Sequence, residues 1–88
     1  MPTISYFYGI EIRMYFRDHP PPHFSAEYQG QEANVSIATG EIIAGSLPRN
    51  ARRLVKAWAL DHHDELLANW QRAQTDQPLE KIAGADAD

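Results

Sequence analysis

Ile10-Glu11-Ile12-Arg13-Met14-Tyr15-Phe16-Arg17 alternates apolar side chains with charged or amphipathic ones. A period of two marks a half-buried strand, with Ile10, Ile12, Met14 and Phe16 turned to a core and Glu11, Arg13, Tyr15 and Arg17 turned to water. Upstream, Thr3 to Phe7 is β-prone and precedes Tyr8-Gly9, where glycine accepts a positive φ, so the two segments predict a hairpin. Downstream the alternation returns twice: Phe24, Ala26 and Tyr28 against His23, Ser25 and Glu27, then Ala33, Val35 and Ile37 against Glu32, Asn34 and Ser36. Gln29-Gly30 and Thr39-Gly40 supply turns, and Glu41-Ile42-Ile43-Ala44 a last strand. The prediction is an antiparallel β-meander of four to five strands with one face in water.

After Gly45 the period changes. Ser46 or Leu47 can open a helix with Pro48 in its first turn, where the missing N–H costs nothing. At 100° per residue Leu47, Ala51, Leu54, Val55, Trp58, Ala59, Leu66 and Trp70 form one broad apolar stripe, which should cover the inner face of the sheet. Leu60 and Leu67 fall outside that stripe. The chain therefore reads as an α+β fold whose sheet packs on one long C-terminal helix, the favoured form, or on two consecutive ones broken near Asp61. Residues 1–82 are expected to form a single α+β domain, and 83–88 a short acidic tail that is disordered.

Between the second and third strands lies Asp18-His19-Pro20-Pro21-Pro22-His23-Phe24. Three prolines exclude a helix interior or a central strand and predict an extended, stiff connector. At about 3.1 Å per residue His19 and His23 would stand roughly 12 Å apart, too far to share one metal ion unless a cis prolyl bond or a turn shortens the path.

Eighty-eight residues allow one modest core, which an oligomer would enlarge. With no cysteine, disulfides, thiolate metal sites and cysteine nucleophiles are excluded. Residues Met1 to Ser5 show no signal-peptide pattern and no stretch is apolar enough to span a bilayer, so the expectation is a cytoplasmic protein without membrane contact. The net charge of −4 is unevenly spread, with six cations against five carboxylates up to Lys56 and two against seven beyond it.

Sharing one face, Arg13, Tyr15 and Arg17 join His23 and Ser25, with Asp18 and His19 alongside, in a patch of cations, imidazoles and a phenol suited to an anion. An ordinary polar face, with Glu11 or Glu27 paired to Arg13, accounts for the same residues equally well. Arg49, Arg52, Arg53 and Lys56 recur at helical spacing as a cationic stripe, against the preference of helix starts for acids, and could hold phosphate or an acidic partner. His62 and His63 lack the spacing of a helical zinc pair, and no metal or cofactor is predicted.

Several stretches together resemble the domain-of-unknown-function family 4160: Pro2-Thr3-Ile4-Ser5, Phe7-Tyr8-Gly9-Ile10, Ile12-Arg13-Met14-Tyr15-Phe16, Asp18-His19, Pro21-Pro22-His23-Phe24, and Trp58 with Glu65-Leu66 and Trp70. The resemblance implies a small bacterial protein, sometimes encoded beside a second small domain and sometimes grouped with toxin–antitoxin candidates. The family motif reads His-Phe-His, and here Ser25 stands in place of the second histidine of that motif. Two function classes follow. One is an interaction module that uses the outer sheet face and proline loop to contact RNA or a protein encoded nearby. The other is a metal-independent ribonuclease with His19 and His23 as acid and base and Arg13, Arg17 and Tyr15 steadying the phosphorane.

Overall fold

The computed structural model describes residues 2–87; Met1, which opens the predicted domain, and Asp88, which closes the predicted tail, lie outside it. Five strands, β1 (Thr3–Phe7), β2 (Ile10–Arg13), β3 (His23–Tyr28), β4 (Gln31–Ser36) and β5 (Ile42–Gly45), precede two helices, α1 (Arg49–Asp61) and α2 (His63–Gln74). The strands form one antiparallel sheet in chain order, so the α+β meander read from the sequence is the observed fold. Tyr8-Gly9 and Gln29-Gly30 turn both tight hairpins with positive φ at both central positions (51° and 79°, then 49° and 83°). That is the mirror-image turn whose twist matches the flanking strands.

Register fixes the two faces. Ile12, Ala26 and Ala33 lie side by side on the inner face, and one residue along, Arg13, Ser25, Asn34 and Ala44 lie side by side on the outer one. The inner row joins Phe7, Phe24 and Val35 in a core closed by Val55, Trp58 and Leu66 of the helices. Trp58 is the central side chain: its ring lies 5.0 Å from that of Phe7 and 5.7 Å, edge-on, from that of Phe24. Its indole N–H donates to the Ala83 carbonyl at 2.8 Å, satisfying the one polar atom the burial would otherwise strand. Burying each such aromatic or aliphatic side chain contributes about 1.5–3 kcal/mol.

The structure corrects five expectations. β2 stops at Arg13 rather than running to Phe16: the backbone reverses at Arg17 (φ 55°), whose N–H donates to the Ala73 carbonyl at 3.1 Å, so α2 draws the chain off the sheet and leaves Phe16 exposed. The proline run is not uniformly extended, because the Pro20–Pro21 bond is cis. The favoured single helix is two: His62, at φ −111° and ψ 28°, ends α1 through its N–H to the Trp58 carbonyl and starts α2 by accepting from the Leu66 N–H. The change of direction buries Leu66 and Trp70 while Leu60 stays in water. Finally, Pro48 precedes α1 rather than lying in its first turn, and Leu54 of the predicted buried stripe is exposed.

Beyond α2 the chain returns along the β1 edge. Asn69, fully buried, donates to the Glu80 carbonyl at 2.8 Å and accepts its N–H at 2.9 Å, the two bonds a neighbouring backbone would make. The Ile82 N–H then donates to the Ile4 carbonyl at 2.8 Å, and Lys81 to the Thr3 carbonyl at 2.6 Å.

Candidate functional site

Asp18 and His23 close the proline loop on itself. The His23 ring is hydrogen-bonded through Nδ1 with the Pro21 carbonyl at 2.7 Å and through Nε2 with Asp18 Oδ2 at 3.1 Å. Asp18 Oδ1 accepts the His19 N–H at 2.8 Å, and Gln74 Nε2 donates to the Asp18 carbonyl at 3.3 Å, tying the loop to α2. His23 begins β3 on the outer side by alternation, yet only 8% of it is exposed, because the Trp70 ring lies 5.3 Å away. His19, Pro20 and Pro21 stand in water.

The guanidinium groups are already engaged. Arg13 bridges Glu11 and Glu27 at 2.7 and 2.6 Å, the cross-strand pairing that alternation allows. Thr3 donates to the same Glu11 carboxylate. Hydrogen bonding by Arg13, then by Thr3, holds the Glu11 carboxyl below its ordinary value, and Glu11 in turn raises Arg13. Arg17 pairs with exposed Asp76, raising the arginine and lowering the acid. Register places Glu11, Glu27 and Glu32 in one row across β2, β3 and β4, three carboxylates of which Arg13 pairs with the first two.

Next to that row the outer face sinks into an open hollow of about 360 Å³. Ser25 forms part of its lining and donates to Asn34 Oδ1 at 3.0 Å; Tyr15 and Asp18 of the loop, Glu32 and Ala33 of β4, and Ala44 and Gly45 of β5 complete it. Two carboxylates and no cation line the hollow. Of the predicted residues the structure thus brings together Tyr15, Asp18 and Ser25, while Arg13 is tied back to glutamates and His23 is turned into the loop. Sequence reading missed Glu32, Asn34, Ala44 and Gly45, although the meander register that pairs Ser25 with Asn34 carried that information.

Arg49, Arg52, Arg53 and Lys56 are all exposed on α1, as the stripe predicted. Lys56 pairs with Glu41, while the three arginines have no ion-pair partner among the described residues. The start of α1 has neither a side-chain cap nor an acidic residue in its first turn. His62 stacks on Trp58 with ring centroids 5.4 Å apart and bonds Glu65 at 2.6 Å; His63 bonds Asp64 at 3.2 Å. Among the described residues no group of three or more histidines and carboxylates is arranged to hold a metal ion, and no helix is long and apolar enough to cross a membrane.

A five-stranded meander backed by two short helices, with a clamped loop beside a polar hollow, defines a small α+β sheet domain. The family model described as "Domain of unknown function (DUF4160)" matches residues 9–71, from the first hairpin turn into α2, and the chain belongs to that family. No curated protein and no solved structure matches.

Proposed function

We propose that this chain is a protein-docking module, which takes its partner on the outer sheet face and on the clamped loop beside it. The observation that carries the reading is the lining of the hollow, concave and polar, with the carboxylates of Asp18 and Glu32 and no lysine or arginine. Such a lining attracts lysine and arginine side chains and repels phosphates. Phe16, His19, Pro20 and Pro21 stand exposed on a loop whose shape is already set, so little ordering entropy is lost when a partner covers it. The family resemblance suggests where the partner comes from: a small protein encoded alongside, in a toxin–antitoxin-like pair.

The test is co-expression with the product of the adjacent gene. The expected result is one size-exclusion peak holding both proteins, weakened about tenfold by Glu32→Lys, a loss of about 1.4 kcal/mol. Wild-type protein that elutes alone after such co-expression sinks the reading.

An anionic partner is the second reading, favoured by the three unpaired arginines of α1. Fluorescence anisotropy with single-stranded RNA checks it: binding that steepens at low salt and is lost in Arg49→Glu/Arg53→Glu supports RNA, and flat titrations exclude it. The ribonuclease alternative draws less support, since both ring nitrogens of His23 are engaged within the loop and Arg13 and Arg17 are both occupied by carboxylates.

A further inference from the structure

The two edges of the sheet are treated differently. Along β1 the chain's own Lys81–Gly84 segment lies against the backbone, with Ile82 bonded to Ile4 and Gly84 so close to Phe7 and Tyr6 that a Cβ would lie 2.9 Å from Phe7 Cβ and 3.0 Å from the Tyr6 carbonyl oxygen. β5 is bonded to β4 alone, and nothing among the described residues bonds to its outer side. Ile43, Ala44 and Gly45 are exposed, and the strand contains no charge and no proline, two devices that usually guard a free edge. Its protection is limited to its four-residue length and a bulge at its own Ile43, left without a partner where Asn34 pairs with Ala44 and Val35 with Ile42.

The open edge borders the hollow, since Ala44 and Gly45 belong to both. A strand added beyond β5 would lie about 4.8 Å from it, so its side chain facing Ala44 on the outer side would start about 10 Å from Asn34. A lysine or arginine side chain, with its hydrogen bond, spans that gap over the alanine methyl; a short side chain does not. At the far side wait Asn34, Glu32 and Tyr15.

We infer that β5 accepts an extended, proline-free segment of a partner protein as a sixth strand, with a lysine or arginine of that segment entering the hollow over Ala44 to meet Glu32 and Asn34. Main-chain bonds supply part of the affinity and the hollow supplies the choice of side chain, the usual division in strand addition. The inference rests on the docking reading and names the partner segment for the same site.

The test pans a random-peptide phage library on the full chain, then follows amide hydrogen exchange and anisotropy with the enriched peptides. Expected are sequences sharing a lysine or arginine, slowed exchange at β5, and affinity reduced about tenfold by Glu32→Lys and less by Glu32→Gln, which removes the charge while keeping the shape. Gln71→Lys, a cation added on the exposed face of α2, should leave affinity unchanged. Peptides without a shared cation, protection elsewhere than β5, or no enriched peptide would overturn it. So would β5 amides already protected in a self-associated wild-type chain, since a second copy would then hold the edge. A complex with the adjacent gene's product that leaves β5 unprotected defeats this inference alone, whereas no complex with that product, alongside library peptides that protect β5, defeats only the choice of natural partner.

Discussion

His23 Nε2 lies 3.1 Å from Asp18 Oδ2 across the three prolines, while Nδ1 of the same ring holds the Pro21 carbonyl. The pair spans the loop as a clamp, and the ring's remaining surface is covered by Trp70. His23→Ala removes a charge-assisted bond, a second bond and the contact with Trp70, and should lower stability by about 2 kcal/mol. Urea unfolding followed by tryptophan fluorescence measures the loss. A variant as stable as wild type would mean that the loop holds its shape by other means.

Arg13→Ala leaves Glu11 and Glu27 directly opposite each other on β2 and β3 with no guanidinium between them. Like charges in facing positions repel, and the half-exposed setting screens the effect to about 1 kcal/mol. Because the penalty is electrostatic, it should shrink when the carboxylates are protonated. Denaturation midpoints of wild type and variant are expected to converge at acid pH, and a gap independent of pH would point to lost packing instead.

Three carboxyls are held below their ordinary values by cations: Glu11 by Arg13, Glu41 by Lys56 and Asp76 by Arg17. Each therefore binds its proton less readily in the folded chain than in the unfolded one. The stabilisation is complete above the unfolded values of 4.5, 4.5 and 3.8 and drains away as pH falls through the lower folded ones. Urea midpoints should accordingly be flat near neutrality and fall through the acid range, less steeply in high salt. A midpoint that rises on acidification would contradict these pairings.

Gly45→Ala should cost about 2 kcal/mol or more. Gly45 sits at φ 76°, and a Cβ there would overlap the Glu32 carbonyl oxygen and lie 3.0 Å from Ala33 Cα. β5 would have to move off β4, opening one wall of the hollow. Faster amide exchange confined to β4 and β5 is the expected sign, and unchanged exchange would show that the edge tolerates the extra methyl.

Strand order, both tight turns and the core-facing residues were legible because period-two alternation and the Tyr8-Gly9 and Gln29-Gly30 pairs act locally. The end of β2 was not legible: alternation continues through Phe16, and only the bond from Arg17 to Ala73, fifty-six residues later in the chain, turns the backbone aside. The helix break at His62 was foreshadowed by Leu60 and Leu67 falling off the stripe, but nothing short of packing decides between one bent surface and two helices. The site followed the same division. Alternation placed Arg13 and Ser25 on the outer face, whereas the partners that settle their chemistry, Glu27 for the arginine and Asn34 for the serine, depend on register between strands. That Trp70 would cover His23 required the path of α2.

The most direct measurement is amide hydrogen exchange across the whole chain, free and in complex with the co-expressed product of the adjacent gene. Slowed exchange at Tyr15–His19 and at Ile42–Gly45, with α1 unchanged, is the result this account predicts. Protection confined to the arginine-bearing face of α1, with the loop and β5 exchanging as in the free chain, would contradict it.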